Sequence, residues 1–268
     1  MLLGARQFFE RRVGGGAPTA RDYVQNGLIA MWDGIENAGW GVHDAAATMW
    51  KNLVADSSWS DAANPDTTIF ANPVWDGNSM SCVDGLNHCL VATTTETHTE
   101  LSCEIVAQQG AINQYSWAVS CGRYDLTTNR IYEIWKKSNG GGVEVSPQSG
   151  GANNMSSSNM AGKWPSFSDV SPHSLSFAGK YSASQNSSSL ETFGDGVRVA
   201  QITGLNQYDF RNFATAFSKI SFANGYSWNN GVGLKNGHIY AVRIYSRALT
   251  AAEIAANYAI DKKRLNLP

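Results

Sequence analysis

The segment Gly237 to Leu265, GHIYAVRIYSRALTAAEIAANYAIDKKRL, changes its period halfway. Its first half is rich in β-branched and aromatic residues. Val242 and Ile244 alternate with Arg243 and Tyr245, and this period of two predicts a strand over 239–245. Ile239 falls off that parity, which predicts a bulge near Ala241. The second half predicts a helix. Thr250 and Glu253 form a T-x-x-E capping box, and Leu249 and Ile254 stand at the two ends of a hydrophobic staple. Ile254, Tyr258 and Leu265 then share a face, and Lys262, Lys263 and Arg264 sit at the negative end of the helix dipole. A strand running into a capped helix implies a terminal helix that packs back on a sheet.

Everything upstream reads as short strands. Leu28 to Trp32 and Thr48 to Leu53 flank a loop, Asp33 to Asp44, rich in Gly, Asn and acid. PVWDGNSMSCV reads as strand, turn at Asp76-Gly77, strand. In TELSCEIVAQQ, Leu101, Cys103 and Ile105 fall on one side and Ser102, Glu104 and Val106 on the other. YSWAVSCGRY and NRIYEIWKKS add two strands. From Gly140 to Ser171 the chain turns to Gly, Ser and Asn, which predicts long loops over a sheet. Strands resume in HSLSFAGKYS and in SSLETFGDGVRVAQI, with a second Asp-Gly turn at Asp195-Gly196. The sum is about twelve short strands and one helix, without β–α alternation or a repeat of fixed period, so the expected fold is an all-β antiparallel sandwich or jelly roll.

The 268 residues suffice for one large all-β domain or two smaller ones, and 43% hydrophobic residues suffice for a full core. A net charge of −2 and a pI near 6.2 exclude a global basic footprint for nucleic acid. Charged residues are only 16%, with Ser, Thr, Asn and Gly in their place, a composition that suits an extracellular or particle-bound protein. Cys82, Cys89, Cys103 and Cys121 show no zinc-type spacing and are read as thiols rather than disulfides. No stretch has the length of a membrane span, so no membrane insertion is expected. At the N-terminus, Arg6, Glu10, Arg11 and Arg12 interrupt any secretory signal. Residues 1–21 read as an arm, with apolar Leu2, Leu3, Phe8 and Phe9 ahead of a flexible joint at Gly14 to Gly16, and the domain spans 22–268. The arm is either a disordered tail or an anchor that docks on another protein.

The run Gly237, Ile239, Val242, Arg243, Ile244, Tyr245, Arg247, Ala248, Leu249, Thr250, Glu253 and Ile254, together with FGDGVRVA and VWDGNSMSCV, resembles the laminin-G-like, concanavalin-type jelly roll. GLIAMWDGIENAGWG is similar to the opening of versions found in gut bacterial and phage proteins. The resemblance spans about Gly27 to Leu265. It implies two curved antiparallel sheets and a concave or rim-located binding surface. It fixes no ligand, because that fold hosts lectins, adhesion modules and hydrolases alike.

A retaining glycosidase needs two carboxylates about 5 Å apart. No E-x-D-x-x-E run supplies them. Glu104 and Glu133 each stand alone on a strand and are read as exposed structural acids. His43, His88, His98, His173 and His238 make no metal pair, and His238 is read as a surface residue before a strand. An enzyme is therefore not expected. Sugar rings pack on aromatic faces while their hydroxyls bond to Asn and Asp. Trp40, Trp59, Trp164 and Trp228 lie in Gly-, Asn- or Ser-rich stretches, with Asp61 near Trp59 and with Asn229 and Asn230 beside Trp228. These seven residues are the candidate ligand contacts, against the alternative that each tryptophan plugs a loop onto the core. In the acidic loop Asp33, Glu36, Asn37 and Asp44 offer oxygens of the kind that hold calcium, the one cofactor the sequence raises.

The expected function is a non-catalytic structural or adhesion protein of a phage particle, as capsid decoration, head fibre or tail-associated protein. Residues 1–21 would dock other virion proteins, and a homo-oligomer would let many weak sites for surface glycans act together. The alternatives are a bacterial cell-surface lectin or adhesin and, behind it, a polysaccharide-cleaving enzyme.

Overall fold

The computed structural model describes residues 17–83, 86, 88–108, 110, 116–121, 132–136, 143–146, 171–180, 188–205, 219–223, 234 and 236–268. Side chains are described for all of these except 116–121, 132–136, 143–146, 188, 200 and 202–205. A short 3-10 turn, Ala20–Asp22, capped by Thr19, precedes fifteen strands. They are β1 (Leu28–Asp33), β2 (Met49–Trp50), β3 (Ala62–Ala63), β4 (Val74–Trp75), β5 (Met80–Cys82), β6 (Leu90–Thr93), β7 (Glu100–Gln108), β8 (Ser116–Cys121), β9 (Tyr132–Lys136), β10 (Val143–Ser146), β11 (His173–Lys180), β12 (Ser188–Gly194), β13 (Val197–Leu205), β14 (Lys219–Phe222) and β15 (Gly237–Tyr245). A single α-helix among the described residues, α1 (Ala251–Leu265), follows.

The strands form two antiparallel sheets. The eight-stranded sheet runs β13-β12-β11-β7-β15-β5-β4, with β1 also paired to β15, and the seven-stranded sheet runs β10-β9-β8-β14-β6-β3-β2. β15 organises the larger sheet. One edge pairs with β7 throughout; the other pairs with β5 from Gly237 to Ile239 and with β1 from Ala241 to Tyr245. The register shifts between Ile239 and Ala241, where the off-parity isoleucine predicts a bulge.

Alternation places Leu101, Cys103, Ile105, Ile239, Val242 and Ile244 in the core between the sheets. Aromatic rings fill the same layer: Trp32 meets Phe222 at 5.1 Å and Trp59 at 6.1 Å, and Trp50 meets Trp75 at 5.3 Å. Edge and tilted contacts of this kind add to the area they bury. The indole Nε1 of Trp50 donates to the Asp33 carbonyl at 3.0 Å, and that of Trp75 to the Ala47 carbonyl at 2.7 Å, so two large rings are buried without losing their polar atom.

The helix closes the outer face of the larger sheet. Thr250 and Glu253 form the capping box, and both staple residues, Leu249 and Ile254, join a buried cluster with Ala178, Phe193 and Tyr245. Leu265 and Leu267 pack with Val106, Tyr240 and Ala241. The helix ends at Asn266 in the left-handed region, φ 52°. The hairpin between β12 and β13 turns on Asp195 (φ 48°) and Gly196 (φ 76°), the geometry the Asp-Gly pair predicts. Tyr258 of α1 lies over that turn, where a Cβ at position 196 would come within 2.9 Å of its ring.

Three expectations change. Val143–Ser146 is a strand paired to β9, inside a stretch whose composition predicts loop. The strand expected over 48–53 shortens to Met49–Trp50. The Ser102, Glu104 and Val106 face of β7 is buried, because α1 covers it. Cys82, Cys89 and Cys103 are buried thiols outside any disulfide, as expected; burial pushes the Cys89 thiol up to about 12, against a smaller opposing pull from Lys219. The Cys121 side chain lies outside the described residues. Among the described residues no helix is long and apolar enough to cross a membrane.

Candidate functional site

The acidic loop after β1 gathers its oxygens around an arginine. Arg264, from the last turn of α1, places Nη1 2.5 Å from Asp33 Oδ2 and Nη2 3.1 Å from Glu36 Oε1. Asp33 also accepts from the Ile35 amide, and Glu36 Oε2 from the Gly41 amide at 2.8 Å. Asn37 clips the base of the loop, with Oδ1 accepting from the Asp44 amide and Nδ2 donating to the Asp44 carbonyl. The Asp44 carboxylate accepts from the Ala46 amide. Of the four residues read as calcium ligands, Asp33 and Glu36 are thus held by a guanidinium and Asn37 and Asp44 by backbone groups, and no group of three or more metal-ligating side chains occurs among the described residues.

Beside it lies a second ionic centre with no access to solvent. Arg243 is fully buried, with Nε 2.9 Å from Glu104 Oε2 and Nη2 2.6 Å from Asp261 Oδ2; those carboxylates are 1% and 0% exposed. Asn257 donates to Glu104 at 2.7 Å, and the Tyr23 hydroxyl donates to Asp261 at 2.7 Å. The Tyr23 ring lies 4.0 Å below the Arg243 guanidinium. Burial pushes the Glu104 carboxyl above its ordinary range, against the pull of Arg243. Burial alone would lower Arg243, but Asp261 and Glu104 outweigh it and hold the guanidinium charged. The reading of Glu104 as an exposed strand acid is corrected as well. Its outward parity is right, but the surface it points to is covered by α1. The signal was present in the helix: Asn257 and Asp261 stand between Ile254 and Leu265 on the buried face.

Of the aromatic candidates, Trp59 is 3% exposed and packs edge-on against Trp32 in the main core, so no ring face is left for a sugar. Asp61 serves the fold: its carboxylate accepts from the Asn52 amide at 2.9 Å and pairs with Lys51 at 2.6 Å. Trp40 is half-buried against the cluster of Ala20, Tyr23, Met31 and Leu53, and Arg21 lies 4.7 Å over its ring. Trp40 alone of the tryptophans with described side chains among the candidates keeps open surface. Trp164, Trp228, Asn229 and Asn230 lie outside the described residues, as do Leu2, Leu3, Phe8 and Phe9 and the side chain of Glu133.

Among the described residues, the helix leaves the β4–β5 end of the outer face open. Across β4, β5, β15 and β7, the register aligns Val74, Ser81, His238 and Gln108 in a row. Their neighbours Trp75, Met80, Ile239 and Ala107 point into the core, so this row points out. His238 is not a surface residue ahead of a strand but the second residue of β15, half-buried and fixed. Its Nδ1 lies 2.9 Å from both Asp76 Oδ2 and Ser79 Oγ, while Ser79 Oγ donates to Asp76 Oδ1 at 2.7 Å. Tyr240 donates to Gln108 Oε1 at 2.5 Å, and its ring lies 6.0 Å from that of His238. Gly34 lets the Asp76–Ser79 turn pack close against the chain after β1, because a Cβ there would collide with the Asn78 carbonyl. Sequence reasoning missed this group: His238 and Ser79 are 159 residues apart, and no local pattern joins them.

No family model matches the sequence, and no curated protein matches it. Solved structures are similar in fold. The sialidase of Trypanosoma rangeli in complex with sialic acid matches with a TM-score of 0.58 and 14% identity, over 94% of this chain and 35% of that one. The same sialidase with 2,3-difluoro-KDN matches with a TM-score of 0.56 and 14% identity, over 98% and 36%. The receptor binding domain of botulinum neurotoxin type G matches with a TM-score of 0.51 and 9% identity, over 88% and 52%. The chain thus spans about a third of the sialidase's length, 35% in the first match. None of these matches assigns the laminin-G-like family. At such identities they show the fold alone, and that fold is the antiparallel β-sandwich that the sequence motifs imply.

Proposed function

We propose that the protein is a non-catalytic adhesion module that binds glycans, carried on a phage particle and held there by residues 1–21. The non-catalytic part is supported by the placement of Glu104, one of the two strand acids that the sequence raises for cleavage, together with Asp261. Both lie against Arg243, and at 1% and 0% exposure they are sealed from any substrate by α1. Acid–base cleavage of a glycoside needs carboxylates that reach the scissile bond. The glycan part is supported by likeness of fold to a sialidase bound to sialic acid and to a toxin's receptor binding domain. The particle part rests on the sequence: an apolar arm with Leu2, Leu3, Phe8 and Phe9, a glycine joint, and an opening stretch similar to those of gut bacterial and phage proteins. Many copies on one particle would turn weak sites into firm attachment.

Immunogold labelling of a lysate from cells carrying the gene tests the location. Label on phage heads or tails is the expected result, and deletion of residues 1–16, which leaves the Thr19 cap and the packed Ala20 and Arg21 in place, then abolishes incorporation. Label on cell envelopes alone would replace the particle with a bacterial surface adhesin.

A further inference from the structure

We infer that the open row Val74–Ser81–His238–Gln108 is a binding strip for a neutral oligosaccharide. The inference rests on the glycan-binding reading above and gives it a place and a ligand class.

Among the described residues, the strip is one part of the larger sheet's outer face that α1 does not cover; the exposed Arg198 on β13 marks another, at the far edge. It crosses four strands, so from Val74 to Gln108 it measures about 14 Å at the usual spacing between strands. Val74 is 41% exposed, and Val83, the residue that follows β5, is 39% exposed. They offer an apolar floor for the C–H face of a sugar ring. The polar groups beside that floor are already oriented. Ser79 Oγ gives its proton to Asp76 Oδ1, and an aspartate oxygen can only accept. The proton on the His238 side of the contact therefore sits on Nδ1, shared between Asp76 Oδ2 and Ser79 Oγ. In the neutral ring this leaves Nε2 as an acceptor, with the imidazole held by its other nitrogen. Gln108 is fixed in the same way: Tyr240 occupies its Oε1, which leaves the amide nitrogen to donate. An acceptor and a donor on adjacent strands match the hydroxyls of a sugar, each of which can play either role.

Charge selects among sugars. Asp76 is 37% exposed at the edge of the strip, and the named row contains no Lys or Arg. A carboxylate next to the ring repels sialylated or sulfated chains and tolerates neutral ones. The strip is thus set for neutral glycans even though a sialidase is among the proteins of similar fold.

The test uses the intact chain on an array of neutral, sialylated and sulfated oligosaccharides. The best neutral glycan is then titrated against His238→Ala, Val74→Asp and, as a control at the opposite edge of the sheet, Val197→Asp, where the native valine is 67% exposed. Binding to neutral glycans is expected, with a loss on the order of tenfold or more in the first two variants and no change in the third, as losing an oriented hydrogen bond or burying a charge against the ring implies. Val74 is 41% exposed and takes no part in the His238 hydrogen bonds to Asp76 and Ser79, so Val74→Asp tests the strip separately, with an unchanged unfolding midpoint as its check, even if His238→Ala disturbs the fold. Neutral binding that survives both substitutions overturns the strip and leaves the glycan reading in place. Binding confined to acidic glycans overturns the ligand class. Failure to bind any glycan overturns both readings.

Discussion

Arg243 is the residue on which the outer layer depends. It brings a charge to a position with no exposed surface, where Glu104 and Asp261 compensate it and Tyr23 lies under it. Removing it strands two buried carboxylates, so Arg243→Ala should lower stability by about 3–5 kcal/mol, read as a shift in the urea midpoint at constant slope. Replacing Arg243, Glu104 and Asp261 together with apolar residues of similar volume should cost much less, since the penalty comes from an unpaired charge rather than from the loss of the pair. Glu253 acts in the other direction on pH. Its hydrogen bond from Arg247 holds its carboxyl at about 2, well below its ordinary 4.5, with burial opposing and the Thr250 backbone bond adding to the pull. The folded state therefore binds this proton more weakly than the unfolded chain. Its contribution is present above pH 4.5 and is lost as pH falls through 2. Glu253→Gln should flatten the fall in thermal stability over that window, which differential scanning at successive pH values would show. Glu104 has the opposite sign: burial raises its carboxyl, so acid does not remove stability through it.

At the scale of elements, α1 and its docking hairpin show what a local pattern can and cannot reveal. The cap, the staple and the β15 bulge are legible in the sequence because each involves residues within a few positions of one another. The Asp195-Gly196 turn is legible for the same reason. Its tolerance is not, because Tyr258 arrives from α1. Gly196→Ala should destabilise by more than Gly77→Ala. Both demand positive φ, which costs about 1–3 kcal/mol in a non-glycine residue, but a Cβ at 77 meets open space and one at 196 meets the Tyr258 ring. Paired unfolding measurements on the two variants check the ranking. The same limit explains the misread residues. Trp59 sits in a Ser- and Asp-rich stretch that looks exposed, yet β3 begins three residues later and draws the ring into the core. Asp33 and Glu36 look like metal ligands because the arginine between them comes from 231 and 228 residues away. The ion pair of Arg243 with Glu104 spans 139 residues, so the polar residues on the buried face of α1 signal a buried centre but not the strand partner they meet.

Across the whole molecule, two sheets share one aromatic core and one of them has a half-covered back. The covered half is sealed by charge and by apolar packing together, and the open half carries a fixed histidine on a floor of exposed valine. Ending the chain at Ser246 should remove more than any single substitution does. It uncovers Val106, Phe193 and Tyr245 and leaves Arg243 and Glu104 facing water. Loss of cooperative unfolding, or aggregation on expression, is the expected outcome. A truncated chain with an unchanged unfolding midpoint would mean that the helix is not an integral layer. The division of the back face also sets the central functional claim, which is attachment to glycans without turnover. The most direct measurement incubates the intact protein with immobilised oligosaccharides and quantifies, in the same wells, the protein retained and the sugar released. Retained protein with no released sugar is the expected result. Sugar released in proportion to protein and time, or no protein retained on any glycan, would contradict it.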